Sequence, residues 1–334
     1  MKTTPLALVL LLSTVACGDD DTAGFDAGFL PDFDASSEDI RIAVDGGGDA
    51  GDDAGIADAG NDANTPDVFD AGPPACGAEQ PSVAAVRGTE GLAITPDGTI
   101  YYSQSGGIGR ILPGMAAEND WITGLGSTMW GLAYRESDDV LFAASPAAGG
   151  GTIYRVDTTA AAATAEPFIT GAGQPNGLIV ADDGSLLFSD FGGGRVMHAE
   201  GEEDPTEVAR FSQPNGLFID DDGTLLALSY GAGVVWRITL NDDWTEMSRE
   251  MVADVDGALD GIGRDDMGRY YLTDNGAGRV LRYDADFGAE EVLLTGVPNA
   301  ANLAWGRGPL VCTELYVTSG GTMRVLDVGA TGRP

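Results

Sequence analysis

The stretch QPNGLIVADDG, residues 174–184, recurs 39 residues later as QPNGLFIDDDG, residues 213–223. A near-copy at a fixed offset is typical of repeat proteins, in which each copy forms one supersecondary unit. Both copies contain Pro and Asn-Gly, which favour a turn, then a short apolar run, and then an acidic Asp-Gly turn. The stretch therefore predicts a repeated turn–strand–turn–strand unit.

The same unit can be followed through most of the chain by the small residue that precedes its first apolar strand. In order, these residues are Gly91, Gly131, Gly177, Gly216, Gly261 and Asn302. Their spacing of about 40 residues fits four short strands with their turns, which is the length of a propeller blade. The sequence therefore predicts an all-β fold, a six-bladed β-propeller with four-stranded blades.

The two ends of this region predict how the ring closes. The last repeat stops one strand short after GTMRVLDV, residues 321–328, and SVAAVRG, residues 82–88, precedes the first repeat as a strand without a unit of its own. Pairing this N-terminal strand into the last blade would remove two exposed sheet edges. We therefore expect the N-terminal strand to complete blade six.

Cys76 and Cys312 would then lie in the same neighbourhood, one before the closing strand and the other inside blade six. In an exported protein, a disulfide between them is expected to lock the ring. Two unpaired thiols are the alternative.

The N-terminal 75 residues have a different composition. Residues 1–16, MKTTPLALVLLLSTVA, combine an early positive charge with an apolar run and predict a bacterial lipoprotein signal peptide. Cys17 follows Ala16 as in a lipobox, so it is a candidate for lipidation, although an ordinary signal peptide with an incidental Cys would look similar. We expect an exported protein that is lipid-anchored to a bacterial membrane, on the periplasmic side or at the cell surface.

Residues 17–75 are rich in Asp, Ala and Gly, and residues 18–75 contain 16 acidic residues against the single Arg41. Such a segment cannot bury enough apolar surface to fold, so it predicts a disordered linker before a propeller at 76–334. It contains no calcium loop of the EF-hand pattern, which favours a solvated stalk. The net charge of −36 makes nucleic acid a poor partner.

The residue before each aligned small residue should point toward the propeller axis at one face. These ring positions are Glu90, Trp130, Asn176, Asn215, Asp260 and Ala301. Four of the six offer oxygen ligands, and two of those are carboxylates, a set that suits Ca²⁺ or another divalent cation such as Mg²⁺, Mn²⁺ or Zn²⁺. Zn²⁺ is the least favoured because no His or Cys is in the set. The alternative is that Asn-Gly and Asp-Gly are merely turn dipeptides.

The motifs TEG at residue 89, QPNG at 174 and 213, LDGI at 259, and ANLAWG with ELYVTSGG in the last unit resemble the regucalcin and gluconolactonase (senescence marker protein) propellers over about residues 82–328. The family shades into strictosidine-synthase-like and phosphotriesterase propellers. The resemblance implies that Glu90, Asn215 and Asp260 hold a catalytic metal and that Asn176 binds the metal or orients the substrate. Trp130 would form an apolar wall of the substrate pocket or plug the channel.

These residues predict metal-assisted hydrolysis of a small-molecule lactone or ester, with Asp260 or a water on the metal as nucleophile or general base. A serine triad is disfavoured, since there is no Gly-x-Ser-x-Gly motif and the single His, His198, falls in an ordinary strand. The alternative function is a non-catalytic propeller that binds a partner protein or glycan and uses any metal structurally. In either case we expect a monomer that meets the membrane only through its anchor.

Overall fold

Six antiparallel β-sheets follow one another along the chain in a computed structural model, which describes residues 76–333 except 82, 84, 85, 89, 148, 149 and 203. The predicted signal peptide, Cys17 and linker lie outside the described residues. In the part of the chain that is described, no helix is long and apolar enough to cross a membrane.

Each sheet is a meander in which consecutive strands pair. Blades one and two contain β1 (Leu92–Ile94), β2 (Ile100–Ile111) and β3 (Glu118–Thr128), then β4 (Leu132–Arg135), β5 (Val140–Ser145), β6 (Thr152–Asp157) and β7 (Ala165–Thr170). Blades three and four contain β8 (Pro175–Val180), β9 (Leu186–Asp190), β10 (Arg195–Ala199) and β11 (Thr206–Arg210), then β12 (Pro214–Ile219), β13 (Leu225–Ser229), β14 (Val234–Leu240) and β15 (Glu246–Asp254). Blades five and six contain β16 (Leu259–Arg264), β17 (Tyr270–Asp274), β18 (Arg279–Tyr283) and β19 (Glu290–Thr295), then β20 (Ala300–Trp305), β21 (Glu314–Ser319) and β22 (Thr322–Asp327).

Blade one has four strands in effect, because β2 folds back on itself. Its first half pairs with β1 and its second half with β3. In a straight strand Tyr102 and Gly109 would be roughly 23 Å apart, yet a Cβ added to Gly109 would overlap the Tyr102 ring. The reversal falls near Gly106, whose φ of 76° is in the left-handed region.

The first strands of the six blades form a closed ring around a central axis. β1 contacts β4, β4 contacts β8, and the contacts continue through β12, β16 and β20 back to β1. The hydrophobic core is divided into six layers, each between two adjacent sheets, including the layer between blades six and one. These contacts confirm the six-bladed propeller.

The segment that precedes β1 seals the junction of the last and first blades. Val83 and Val86 are buried in one cluster with Tyr316 and Met323 of blade six, and the Gly88 carbonyl accepts a hydrogen bond of 2.9 Å from the Gly321 amide. The described residues of 82–88 form no ladder of their own. The segment therefore closes the ring through packing against blade six, beside the three strands β20–β22.

A disulfide joins the N-terminal segment to blade six. Cys76 is bonded to Cys312, with their Cα atoms 5.4 Å apart and 236 positions apart in the sequence. Next to it, the Glu79 amide donates to the Pro309 carbonyl at 2.9 Å, and Glu79 forms a parallel bridge with Leu310. The covalent bond thus reinforces a junction that hydrogen bonds and apolar packing already define.

The glycines that mark each repeat lie where neighbouring inner strands come closest. A Cβ added to Gly177 would overlap the Asn215 carbonyl oxygen, and one added to Gly216 would overlap that of Asp260. The same relation links Gly91 to Trp130, Gly131 to Asn176 and Gly261 to Ala301. Between blades six and one, where Asn302 replaces Gly, the Thr318 hydroxyl donates to the Glu90 carbonyl. The repeated Gly is therefore required by the close approach of backbones.

We expect Gly177→Ala to destabilise the propeller by about 1–3 kcal/mol, because the neighbour that must move is backbone and not a flexible side chain. The measurement is the free energy of unfolding in urea. Gly201→Ala is the matched control, since an added Cβ there meets no atom within 4 Å, and should stay within about 0.5 kcal/mol of the wild type. Equal stability of the two variants would contradict the close-approach explanation.

Removing the disulfide should also destabilise the fold. Because the bond closes a loop of more than 200 residues, we expect Cys76→Ser combined with Cys312→Ala to lower the free energy of unfolding by about 2–5 kcal/mol. Urea unfolding with and without reductant provides the test. A reductant should lower the wild-type midpoint and leave that of the double variant unchanged, and an unaffected wild type would show that the bond does not contribute.

Candidate metal centre and active site

The predicted ring positions come together at one end of the channel. The order of close contacts around the ring is Glu90, Trp130, Asn176, Asn215, Asp260 and Ala301. Asn176, Asn215 and Asp260 lie inside β8, β12 and β16, so the interpretation of their Asn-Gly and Asp-Gly pairs as turns is wrong. The residues that occupy the same position in each repeat therefore form a ring of side chains.

A local irregularity explains why these side chains are available. In β8 the ladder to β9 passes from Pro175 directly to Leu178, so Asn176 and Gly177 have no partner in it, and the same shift occurs in β12, β16 and β20. Bulges of this kind leave a residue unpaired and change the direction of its side chain. The freed Gly177 amide donates to the Ser189 hydroxyl at 2.8 Å, and Gly261 donates likewise to Thr273 at 2.7 Å.

Three oxygen atoms of the ring are buried without a hydrogen bond. Asn176 is 4% exposed, Asn215 2% and Asp260 3%, and the Oδ1 atom of each has no hydrogen-bond partner among the described residues. Leaving a buried acceptor unsatisfied costs about 1–3 kcal/mol. Three such acceptors at equivalent positions in one ring make it a candidate site for a group that is not part of the chain.

The two acids of the ring interact with each other. Burial, followed by the negative charge of Asp260, raises the pKa of Glu90 well above its ordinary value, and the Asn176 amide that hydrogen-bonds the carboxylate lowers it in part. Burial likewise raises the pKa of Asp260 to about 7, against the opposing hydrogen bond from Asn275. Without a cation, the site therefore disfavours having both carboxylates ionised.

Two neighbouring acids, Asp190 and Asp274, have lowered and not raised pKa values. Although burial alone would raise it, the pKa of Asp190 is lowered by hydrogen bonds from the Gln174 and Gly193 amides and from Arg195. Asp274 is held in the same way by Ala258, Ala277 and Arg279, which contacts it at 2.6 Å. These two carboxylates are satisfied and anchor the loops after β9 and β17. Among the described residues, no Arg or Lys pairs with Glu90 or Asp260.

Further residues of the site come from a second repeated position, which sequence reasoning missed. The residue after the second strand of blades three, four and five is Phe191, Tyr230 or Asn275, each followed by Gly. The Asn275 amide donates to Asp260 Oδ2 at 3.2 Å, and the Tyr230 hydroxyl donates to Asn275 Oδ1 at 2.9 Å. The recurring Asp/Ser-x-Gly-x-Gly pattern in these loops could have revealed this position.

The remaining predicted residues divide between the site and the body of the blades. Trp130 is partly exposed and meets the Phe191 ring edge-on, with centroids 6.0 Å apart. Ala301 is buried and offers no ligand atom. His198 lies in β10, outside the ring, where its imidazole stacks on Trp244 at 4.8 Å. Burial lowers the pKa of His198, in agreement with a structural role.

The ring fits a hard divalent cation by its donors. Glu90 and Asp260 would supply carboxylate oxygens, and Asn176 and Asn215 would supply the amide oxygens that lack a partner. Ca²⁺ accepts mixed carboxylate and carbonyl oxygens in flexible geometry. Among the described residues no group of three or more His, Cys, Asp or Glu is placed to hold a metal, so any cation here depends on the two amides as much as on the acids.

The raised pKa values give the metal-free protein a particular pH dependence. The folded state retains protons on Glu90 and Asp260 that the unfolded chain releases near pH 4, so these two groups favour folding at low pH and oppose it as pH rises to 7. Asp260→Asn should therefore be more stable than the wild type at pH 8 by more than about 1 kcal/mol, and the difference should shrink at pH 5. Urea unfolding in chelator at both pH values measures it.

Asp204→Asn, at an exposed acid, is the control and should show no such pH-dependent difference from the wild type. An Asp260→Asn variant that is less stable than the wild type at pH 8 would contradict the raised pKa of the ring acid.

Comparisons with known proteins support the architecture. No protein-family model and no curated protein matches the sequence, whereas many solved structures match the fold. Regucalcin from Agrobacterium tumefaciens is 17% identical with a TM-score of 0.59, and the match covers 77% of this chain and 97% of that one. A gluconolactonase from Xanthomonas campestris is 18% identical with a TM-score of 0.58, covering 79% and 96%.

A nidogen/laminin complex contains a similar chain, 19% identical with a TM-score of 0.57 over 70% of this chain and 90% of that one. Similarity at this level of identity shows the fold of the domain and not its chemistry. The domain has the six-bladed propeller fold of the solved gluconolactonase and regucalcin structures.

Proposed function

We propose that this protein is a divalent-metal-dependent hydrolase of a small-molecule lactone or ester, with Ca²⁺ as the first candidate for the metal. The observation that carries the proposal is the set of three buried, unpartnered oxygens of Asn176, Asn215 and Asp260 in one ring with Glu90. A purely structural ring would be expected to satisfy its own buried acceptors.

Glu90, Asn176, Asn215 and Asp260 would hold the cation. When bound, a divalent cation at such a ring supplies positive charge that polarises a carbonyl oxygen and stabilises the charge developing on it. The cation would also lower the pKa of both ring acids relative to the metal-free state, because an opposite charge favours the ionised form. The two carboxylates, which oppose each other's ionisation in the free protein, would then be compatible.

Asp260 is the candidate general base. In its ionised form the carboxylate can accept a proton from water, and the hydrogen bond from Asn275 holds Oδ2 while Oδ1 has no hydrogen-bond partner among the described residues. In the proposed reaction Asp260 removes a proton from water, the water oxygen adds to the carbonyl carbon, and the ester C–O bond breaks. The proton then passes to the leaving oxygen, so that a lactone and water become a hydroxy acid.

The cellular setting belongs to the same proposal. Cleavage before Cys17 and lipidation of that residue would place the propeller outside the bacterial cytoplasm, on a long acidic stalk. The protein would act as a monomer and meet the membrane only through the lipid.

Metal titration of the chelator-treated full-length protein by calorimetry tests the site. We expect one Ca²⁺ per chain, and Asn215→Ala should weaken binding by at least about 10-fold. Asn241→Ala, at an exposed turn Asn, is the control and should bind like the wild type. A panel of lactones and esters assayed with and without chelator tests the chemistry, and Asp260→Asn should lose hydrolysis.

Absence of binding of Ca²⁺, Mg²⁺, Mn²⁺ and Zn²⁺ together with absence of chelator-sensitive hydrolysis would defeat the proposal. Binding without hydrolysis of any substrate would instead favour the non-catalytic propeller with a structural metal.

A further inference from the structure

Three aromatic side chains stand side by side next to the ring acids. Trp130 of blade two meets Phe191 of blade three with ring centroids 6.0 Å apart and an interplanar angle of 74°. Phe191 in turn meets Tyr230 of blade four at 5.6 Å and 71°. All three side chains are partly exposed. We call these three residues the aromatic wall.

The wall is tied to the candidate site by hydrogen bonds. Tyr230 reaches Asp260 through Asn275, with bonds of 2.9 Å and 3.2 Å. Trp130 occupies the ring position between Glu90 and Asn176. Phe191 and Tyr230 are anchored equivalently, since their amides donate to the Gln174 and Gln213 carbonyls at 2.9 Å. The wall is therefore next to the ring that holds the unpartnered oxygens.

The residues on the two sides of the ring differ in polarity. The position held by Phe191 and Tyr230 in blades three and four holds Asn275 in blade five and Gly320 in blade six. The cations of the neighbouring loops, Arg195 and Arg279, are bound to Asp190 and Asp274 at 2.6 Å. Both guanidinium groups are thus already paired with carboxylates, and the side of blades two to four presents the three aromatic rings beside the carboxamides of Gln174 and Gln213.

Binding sites for small molecules combine apolar and aromatic walls with a few polar groups that fix orientation. Edge-to-face contact between two aromatic rings adds about 0.5–1.5 kcal/mol to the free energy gained by burying their area. The partly exposed rings of the wall can make such a contact with a flat ligand. A sugar ring can stack only its C–H face on such a surface, and its hydroxyl groups need hydrogen-bond partners that the faces of three aromatic rings do not supply.

We propose that the aromatic wall binds an aromatic ring of the substrate, so that the preferred substrate is a lactone or ester carrying an aromatic group and not a sugar lactone. This inference rests on the proposed hydrolase function. In this proposal, substrate specificity is determined by Trp130, Phe191 and Tyr230. Tyr230 also positions Asp260, through its hydrogen bond to Asn275.

The test compares two six-membered lactones, and because one is an aryl ester and the other an alkyl ester of different intrinsic reactivity, the role of the wall is read from how each variant changes the ratio of their kcat/KM values. Dihydrocoumarin carries a fused benzene ring, and glucono-1,5-lactone carries hydroxyl groups. We expect the wild-type full-length protein to prefer dihydrocoumarin in kcat/KM, and Phe191→Ala to reduce that value about 10-fold, mainly through KM, with less than about a 2-fold change for glucono-1,5-lactone. Tyr230→Phe, which keeps the ring, should lower kcat with both substrates.

Phe211→Ala is the matched control. Phe211 is also a partly exposed Phe against another aromatic ring, Trp236 at 6.3 Å, but it follows the outer strand β11. It should leave the ratio of the two kcat/KM values unchanged. Phe191→Leu keeps apolar volume without the ring and serves if Phe191→Ala does not fold.

Binding of chroman, a cyclic ether that cannot be hydrolysed, separates this inference from the proposed function. In chelator-treated protein, saturation-transfer NMR should show contact with the chroman ring protons in the wild type and in Phe211→Ala, and loss of it in Phe191→Ala. This result without hydrolysis of any lactone or ester of the panel would count against the hydrolase and keep the wall as an aromatic-binding site. Chroman binding that Phe191→Ala leaves unchanged, or an equal loss of activity on both lactones, would overturn the inference.

Discussion

The close approach of six inner strands at one end of the channel is the constraint on which the rest of this structure depends. At that level the carbonyl oxygen of one blade occupies the space that a side chain of the next blade would need, as between Asn215 and Gly177. At five of the six junctions Gly allows that contact without displacing backbone, and at the sixth Asn302 takes its place. The residue before each Gly is thereby brought to the axis together with its five equivalents.

The same constraint separates the structural from the functional polar groups. In blades three, five and six the bulge frees a backbone amide, and a hydroxyl on the second strand, such as Ser189 or Thr273, accepts from it. The loops are held by Asp190 and Asp274, whose carboxylates are fully hydrogen-bonded. After these requirements are met, unsatisfied oxygens remain on Asn176, Asn215 and Asp260. Their free acceptors are what make the ring a candidate metal centre.

The side chains around that centre differ from one side to the other, and this difference affects which ligand can bind. The oxygen donors are distributed over blades one, three, four and five, whereas the aromatic wall covers blades two to four. A ligand seated on the ring would therefore meet aromatic rings on one side and Asn275 on the other. Similar propellers occur in a gluconolactonase and in a nidogen/laminin complex, so side chains at these positions, and not the scaffold, must decide what this protein binds.

Much of the fold follows from the sequence alone. The recurrence of a small residue about every 40 positions predicts six blades, because a four-stranded meander has a nearly constant length, and the phase of Glu90, Asn176, Asn215 and Asp260 predicts the ring. Sequence could not distinguish a ring from turns at Asn-Gly, since both use the same dipeptide. Only the tertiary structure places these pairs inside strands, leaves their oxygens without partners, and brings Phe191, Tyr230 and Asn275 to them from loops. Those contacts join residues that are 15 to 61 positions apart in the sequence, so they form only when whole blades pack against each other.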